Sequence, residues 1–299
     1  MKKLIIPFIL ILAALTVSET NAEEVIQIDP LFEYPVAPES LTSLEEKCNY
    51  LVANFWNNYN FKNKKVVDQY ALNDAFQVYV TPFQFADKKI VDQSIEKLLK
   101  EISSNPLLML QFCKAAEENL YGPRAQFWSD EVYLKFLEAV VKNKKIDNKR
   151  KNKYITQSNI LKASAIGQPA PNFWFQDKER ASKRYFPMST PTILIFGNPD
   201  DTDWRLQRLK MESNFQLSEA VEKGKINIIY IVPEEIDNWS TLVSNYNKNW
   251  TVGQSSEVSK SYDLRLQPSV FFVGADGNIA SKNISIAQAI DEALASIKQ

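Results

Sequence analysis

The sequence predicts a chain of the α + α/β class. An all-helical domain over 42–160 is followed, over 165–299, by an α/β domain built on a mixed central sheet. Three observations carry that expectation. Apolar residues recur at helical spacing in successive segments from Leu44 to Val141. Two short, continuous apolar runs, Thr192–Phe196 and Ile226–Val232, are rich in β-branched residues, as strands buried on both faces are. The tetrapeptide Ala275-Asp276-Gly277-Asn278 separates Ser269–Val273 from Ile279–Lys282 and reads as a hairpin turn.

The elements follow in order. Lys2 and Lys3 precede an apolar run of 14 residues, Leu4 to Val17, and Thr20-Asn21-Ala22 places small residues before position 23. This is the pattern of a cleaved export leader over 1–22, and the run is shorter than the roughly 18 to 20 residues that span a bilayer. The expected mature protein is therefore exported, periplasmic as the first reading and secreted or surface-associated as the alternative, with no integral membrane segment after cleavage. Residues 23–41 hold Pro30, Pro35 and Pro38 and should be extended. Ser43 and Glu46 have capping-box spacing, opening a helix that should run to about Tyr59. Further helices are marked by Ile90, Ile95, Leu98, Leu99 and Ile102, by Leu107 to Leu120, and by Val132, Phe136, Leu137, Val140 and Val141, with breaks at Asn105-Pro106 and Gly122-Pro123. Lys142–Lys153 holds seven basic residues and one acid. Either it contacts an anionic surface or it is a solvated helix end and connector.

In the second half, Phe173–Phe175 and Ser182–Tyr185 read as short strands joined through a charged turn. The run Thr192–Phe196 is a buried strand, a helical stretch covers about 203–222, and Ile226–Val232 is the next strand. An irregular segment bearing Trp239 and Trp250 leads to the hairpin and a last helix from about Ile286. Strand, helix, strand, helix, hairpin, helix is an order that builds a mixed sheet.

Composition excludes several chemistries. The chain has no histidine, so Ser-His-Asp and Cys-His catalysis and His-bearing zinc sites are ruled out. Acid-base work would fall to carboxylates, lysines or tyrosines. A net charge of −1 argues against a nucleic-acid binder, which needs a concentrated basic field. The two cysteines, Cys48 and Cys113, each sit on an apolar helical stripe. They are either separate core thiols or, in an oxidising compartment, a structural disulfide.

Ile166-Gly167-Gln168-Pro169-Ala170-Pro171-Asn172-Phe173 resembles the opening motif of exported thioredoxin-like proteins of the TlpA and peroxiredoxin-related type. Tyr262-Asp263-Leu264-Arg265-Leu266-Gln267-Pro268-Ser269 resembles the segment before their third core strand. The resemblance implies a thioredoxin-like fold for 165–299, a cis peptide at Pro268, and a groove beside it where an extended partner peptide docks. The first half, through Pro35-Val36-Ala37-Pro38, Phe55–Phe61 and Tyr121-Gly122-Pro123, is similar to an uncharacterised helical domain preceding such folds in exported proteins of Bacteroidota.

The chain departs from that family where it matters. Relatives carry two cysteines after the first core strand, and here those positions are Asp201 and Trp204. Thiol-disulfide exchange needs a thiolate attacker with a lowered pKa and a resolving thiol, and neither replacement supplies one. Asp200, Asp201 and Asp203 suit a helix N-terminus electrostatically. Their spacing is not that of a calcium loop, and nothing in the sequence sets a distance from Asp201 to Glu234 or Glu235 for paired-carboxylate hydrolysis. No metal or other cofactor is expected. Trp204, beside Gln267-Pro268, either adds an apolar contact to the groove or packs beneath the loop, and Trp239 and Trp250 pose the same choice. The leading expectation is a non-redox module that binds a protein or peptide through Asp201, Trp204, Gln267 and Pro268. The alternatives are an oxidoreductase or isomerase using Cys48 and Cys113, and a purely structural envelope component.

Overall fold

The computed structural model describes residues 30–298 except 64, 65, 124 and 188. The expected leader over 1–22 lies outside the described residues. From Pro30 the chain is irregular to Ser43, where Phe32 inserts among Phe55, Trp56 and Tyr59 with ring centroids 5.4–5.5 Å apart. The capping box at Ser43 is formed. Ser43 Oγ accepts the Glu46 N–H at 3.1 Å, and Glu46 Oε2 accepts the Ser43 N–H at 3.2 Å. Helix α1 (Leu44–Asn54) then tightens into a 3₁₀ turn, Phe55–Asn58.

Helix α2 (Gln69–Val80) is capped by Asp68, whose Oδ1 accepts the Ala71 N–H at 2.9 Å. Periodicity does not reveal this helix, because Tyr70 and Val78 lie on its outer face and break the polar stripe. Helices α3 (Lys88–Ile102), α4 (Pro106–Leu120) and α5 (Asp130–Lys142) follow the predicted stripes, and Pro106 occupies the first turn of α4, where its missing N–H costs nothing. Helix α6 (Asn148–Ala163) takes up the later part of the basic run, with Asp147 as its cap. It fully buries only Ser158 and Leu161 and is tied down instead by Lys153–Glu117 at 2.6 Å, Lys162–Glu138 at 2.8 Å and a 3.0 Å bond from Tyr133 Oη to Gln157. Phe76, Tyr79, Phe112, Tyr133 and Phe136 fill the centre of this half and are fully buried.

The second half holds β1 (Phe173–Asp177), β2 (Ser182–Tyr185), β3 (Thr192–Phe196), α7 (Thr202–Ser213), α8 (Phe215–Glu222) and β4 (Asn227–Val232). The short helix α9 (Trp239–Leu242), β5 (Thr251–Gln254), β6 (Ser269–Val273), β7 (Ile279–Lys282) and α10 (Ile286–Ser296) complete it. The strands form one mixed sheet in the order β2-β1-β5-β4-β3-β6-β7. Neighbours β3, β4 and β5 run parallel, and the remaining pairs are antiparallel. Strand alternation divides the core. Ile193 and Ile195 face α7, α8 and α10, whereas Leu194 and Phe196 face Phe173, Tyr262 and Phe271.

In this half, two stretches differ from the sequence reading. The stretch at 203–222 is two helices, because Asn214 ends α7 and its side chain caps α8 through the Leu217 N–H at 3.0 Å. The segment read as irregular contains β5, four residues long with a glycine inside it. That glycine is required: a Cβ on Gly253 would lie 2.3 Å from Phe175 Cδ2 across the β1 pairing. Four residues carry too little pattern to announce a strand. Among the described residues no helix is long and apolar enough to cross a membrane.

Candidate functional site

Strand β3 ends at Phe196 and α7 begins at Thr202, so residues 197–201 form the strand-to-helix junction where the redox pair of a thioredoxin-type domain would sit. The junction is closed by its own bonds. Asp201 is the N-cap of α7, its Oδ1 accepting the Trp204 N–H at 2.8 Å. Asn198 Oδ1 accepts the Asp200 N–H at 2.9 Å, and Asp200 Oδ1 accepts from Arg205 Nη2 at 2.7 Å. The Gly197 carbonyl accepts the Tyr230 hydroxyl at 2.8 Å. A Cβ added to Gly197 would stand 3.2 Å from Pro268 Cβ, which places the junction directly against the cis Gln267-Pro268 peptide.

Trp204 does not face that groove. It is 0 % exposed and lies flat on Tyr230, with centroids 4.6 Å apart and the planes 1° from parallel. Its Nε1 donates to the Tyr246 hydroxyl at 2.8 Å. The expectation of Trp204 as a docking contact is therefore corrected to the other reading: it packs beneath the loop. The aromatic bed of Tyr230 and Tyr246, also lined by the buried Trp239 and Trp250, offers the indole more contact than a solvent-facing groove would. Trp239 and Trp250 are core residues for the same reason and form no rim.

Of the four predicted binding residues, the structure brings Asp201, Gln267 and Pro268 to one edge. Strand β3 runs antiparallel to β6, with Phe196 opposite Ser269. Gln267 is exposed, and no hydrogen bond involves its N–H, carbonyl or side chain among the described residues. The carboxyl end of β4, parallel to β3, carries the exposed Glu234 and Glu235 toward the same edge. No group of three or more Cys, Asp or Glu side chains is placed to hold a metal ion among the described residues.

Cys48 on α1 and Cys113 on α4 are free, buried thiols, so the disulfide reading is corrected. Each faces the interior from its own helix stripe. Burial pushes both thiols above their ordinary range, the opposite of what a reactive cysteine needs. A thiol titration should accordingly find no reactive group in the folded chain and two after denaturation. Rapid labelling of either cysteine in the native state would contradict the structure.

Sequence reasoning missed a charged cluster two residues before Gln267. The Arg265 guanidinium reaches both Asp263, on its own loop, and Asp130, at the start of α5. It lies 3.9 Å over the Tyr121 ring and 5.4 Å from that of Trp128. Lys282 pairs with Asp130 at 2.5 Å and Asp263 at 3.7 Å, and Asn283 Nδ2 donates to Asp263 at 3.3 Å. The Arg265 side chain is 4 % exposed and that of Asp263 0 %. Burial pushes the Asp263 carboxyl up, but Arg265, Lys282 and Asn283 outweigh it and hold the group below the usual carboxylate range. The cluster joins the helical half to the loop that carries Pro268. Its one signal in the sequence was two opposite charges, Asp263 and Arg265, inside an otherwise apolar segment.

Residues 13–164 match the family DUF5106, a domain of unknown function. The chain belongs to that family. The DUF5106 region ends where α6 does, within a residue. Across both halves the chain is similar to a thioredoxin-like protein from Bacteroides caccae. That structure is 20 % identical with a TM-score of 0.71, and the match covers 88 % of this chain and 98 % of that one. At that identity the likeness shows the fold: a thioredoxin-like architecture behind a helical region. Two partial matches have lower scores. One is a conserved protein of unknown function from Bacteroides fragilis, 24 % identical, covering 43 % of this chain and 98 % of that one with a TM-score of 0.41. The other is a thiol-disulfide oxidoreductase from Bacteroides fragilis, 17 % identical, covering 43 % and 98 % with a TM-score of 0.36. No curated protein matches the chain.

Proposed function

We propose that this chain is an exported, non-redox thioredoxin-fold module of the cell envelope that binds an extended peptide or protein segment at the edge formed by 197–203 and Gln267-Pro268. The observation that carries the reading is the state of that edge. The positions that would hold a dithiol are a helix cap and a buried indole, whereas Gln267 beside them is exposed with its main-chain N–H and carbonyl unpaired. An extended chain satisfies such groups by strand-like pairing, and side chains around them then select among partners. Asp200, Asp203, Glu234 and Glu235 are exposed, and only Asp200 has an ion-pair partner among the described residues, so a cationic segment is favoured over an acidic one.

The test uses the full chain against extended peptides of equal length and opposite charge. Basic peptides should bind, and reversing charge with E234K/E235K should weaken them severalfold without lowering the melting temperature. An insulin-reduction assay should show no turnover. Indifference of binding to peptide charge and to E234K/E235K, or dithiol turnover lost in Cys48→Ser, would remove this reading. The oxidoreductase alternative gains nothing from two inward-facing thiols of raised pKa.

A further inference from the structure

The basic run at the α5–α6 corner is only partly absorbed by the fold. Lys142 pairs with Glu138 at 3.0 Å, Arg150 with Asp147 at 3.3 Å and Lys153 with Glu117 at 2.6 Å. Lys145 Nζ donates only to the Ser104 carbonyl, at 3.1 Å, and Lys144 has no partner among the described residues. A bare connector would scatter such side chains into solvent. Here Lys142, Lys144 and Lys145 border a depression.

That depression has a volume of about 370 Å³ and opens between the end of α3, the first turn of α4 and the connection from α5 to α6. Its floor is apolar, made by Met109, which is buried, and by the half-buried Leu99 and Ala139. Its rim is cationic, made by Lys142, Lys144 and Lys145, and no carboxylate lines it. Asn143, at the turn itself, is already engaged: its Nδ2 donates to the Ser103 carbonyl at 3.0 Å and lies 3.3 Å from Met109 Sδ. The connection that carries the lysines is therefore held against the floor.

We propose that this pocket binds a single-chain anionic amphiphile, its head group on Lys144 and Lys145 and its tail against Leu99, Met109 and Ala139. Charge and shape agree on that class. Lys144 and Lys145, neither paired with a carboxylate among the described residues, place positive charge at one opening on a chain whose net charge is −1. An anion there makes charge-assisted hydrogen bonds, stronger than neutral ones. The apolar floor rewards a ligand with a hydrocarbon body over a bare inorganic ion. Lysine stems extend that apolar wall while their heads stay in water. The volume lies within the roughly 300–1,000 Å³ of small-ligand sites. The pocket belongs entirely to the DUF5106 region and is independent of the peptide edge of the other half.

Calorimetric titration of the full chain with decanoate, decanol and decyltrimethylammonium, all below micellar concentration, separates head from tail. Decanoate should bind at one saturable site, at least tenfold more tightly than either of the others, and more weakly as salt rises. K144E/K145E should weaken decanoate at least tenfold with an unchanged far-UV spectrum, and Lys144→Ala, the milder variant, should weaken it severalfold. Leu99→Gln should weaken decanoate while leaving its salt dependence intact. Three outcomes would overturn the proposal: equal affinity for the three ligands, no change in K144E/K145E, or binding confined to vesicles of anionic phospholipid with none to monomeric decanoate.

Discussion

Replacing Trp204 by alanine should destabilise the folded chain by about 3–5 kcal/mol, the usual cost of truncating a large aromatic in a closed core. The indole is fully buried, covers Tyr230 face to face and donates to Tyr246, so truncation opens a cavity under α7 and strands a buried hydroxyl. That loss is a large fraction of the roughly 5–15 kcal/mol by which folded domains are stable. Two milder variants separate the contributions. Trp204→Phe keeps a ring on Tyr230 but loses the donor, and Tyr246→Phe removes the acceptor while leaving the stack. Each should cost about 1–3 kcal/mol, the penalty for a buried polar group deprived of its partner. Urea unfolding at constant m-value measures all three. A loss below about 1 kcal/mol for Trp204→Ala would mean that the side chain reaches solvent after all. In that case its place in the peptide groove would need to be restored.

The same tryptophan shows where the sequence is legible and where it stops. Residues whose role is local announce themselves. Ser43 and Glu46 cap α1 as their spacing requires, and Asp201 caps α7, because capping depends on a few residues in a row. Continuous β-branched runs give β3 and β4, since a strand buried on both faces has no polar side to show. What depends on distant partners is silent. Trp204 turns inward because Tyr230 and Tyr246, 26 and 42 residues further along, build a bed for it. Strand β5 exists because β1 and β4 flank it, and Gly253 marks the site only once Phe175 is known to lie across it. Helix α6 has almost no apolar stripe and is recruited by carboxylates on α4 and α5. The absence of a dithiol was legible from sequence, and the unpaired main chain at Gln267 was not.

Arg265→Met should cost about 3–5 kcal/mol, comparable to the Trp204 variant but through charge and not volume. Removing one member of a buried ion cluster leaves the rest desolvated without compensation. Asp263, with no exposed side-chain surface, would lose its guanidinium and retain Lys282 at 3.7 Å, Asn283, the Tyr121 hydroxyl at 3.3 Å and the main-chain N–H of residue 265 at 3.4 Å. The sign of the pH dependence distinguishes this cause from lost packing. In the folded chain Asp263 is held below its ordinary value, about 3.9 in an unfolded chain. Its contribution is therefore fully present above that value and is lost as pH falls through the depressed folded one. Without Arg265 a major lowering influence is gone while burial still acts, so the carboxyl moves up and the variant gains less stability than wild type as pH rises from about 4. The gap between wild type and Arg265→Met should accordingly be wider at pH 7 than at pH 3, whereas a pure packing defect would give the same gap at both. Asp130→Ala, at a side chain 24 % exposed, should cost less, about 1–3 kcal/mol. It nonetheless acts across the boundary, since Asp130 is the carboxylate that the helical half contributes to Arg265 and Lys282. Limited proteolysis should therefore cut between α6 and β1 faster in Asp130→Ala than in wild type. Unchanged cleavage there would show that the apolar contacts hold the two halves together without the ionic cluster.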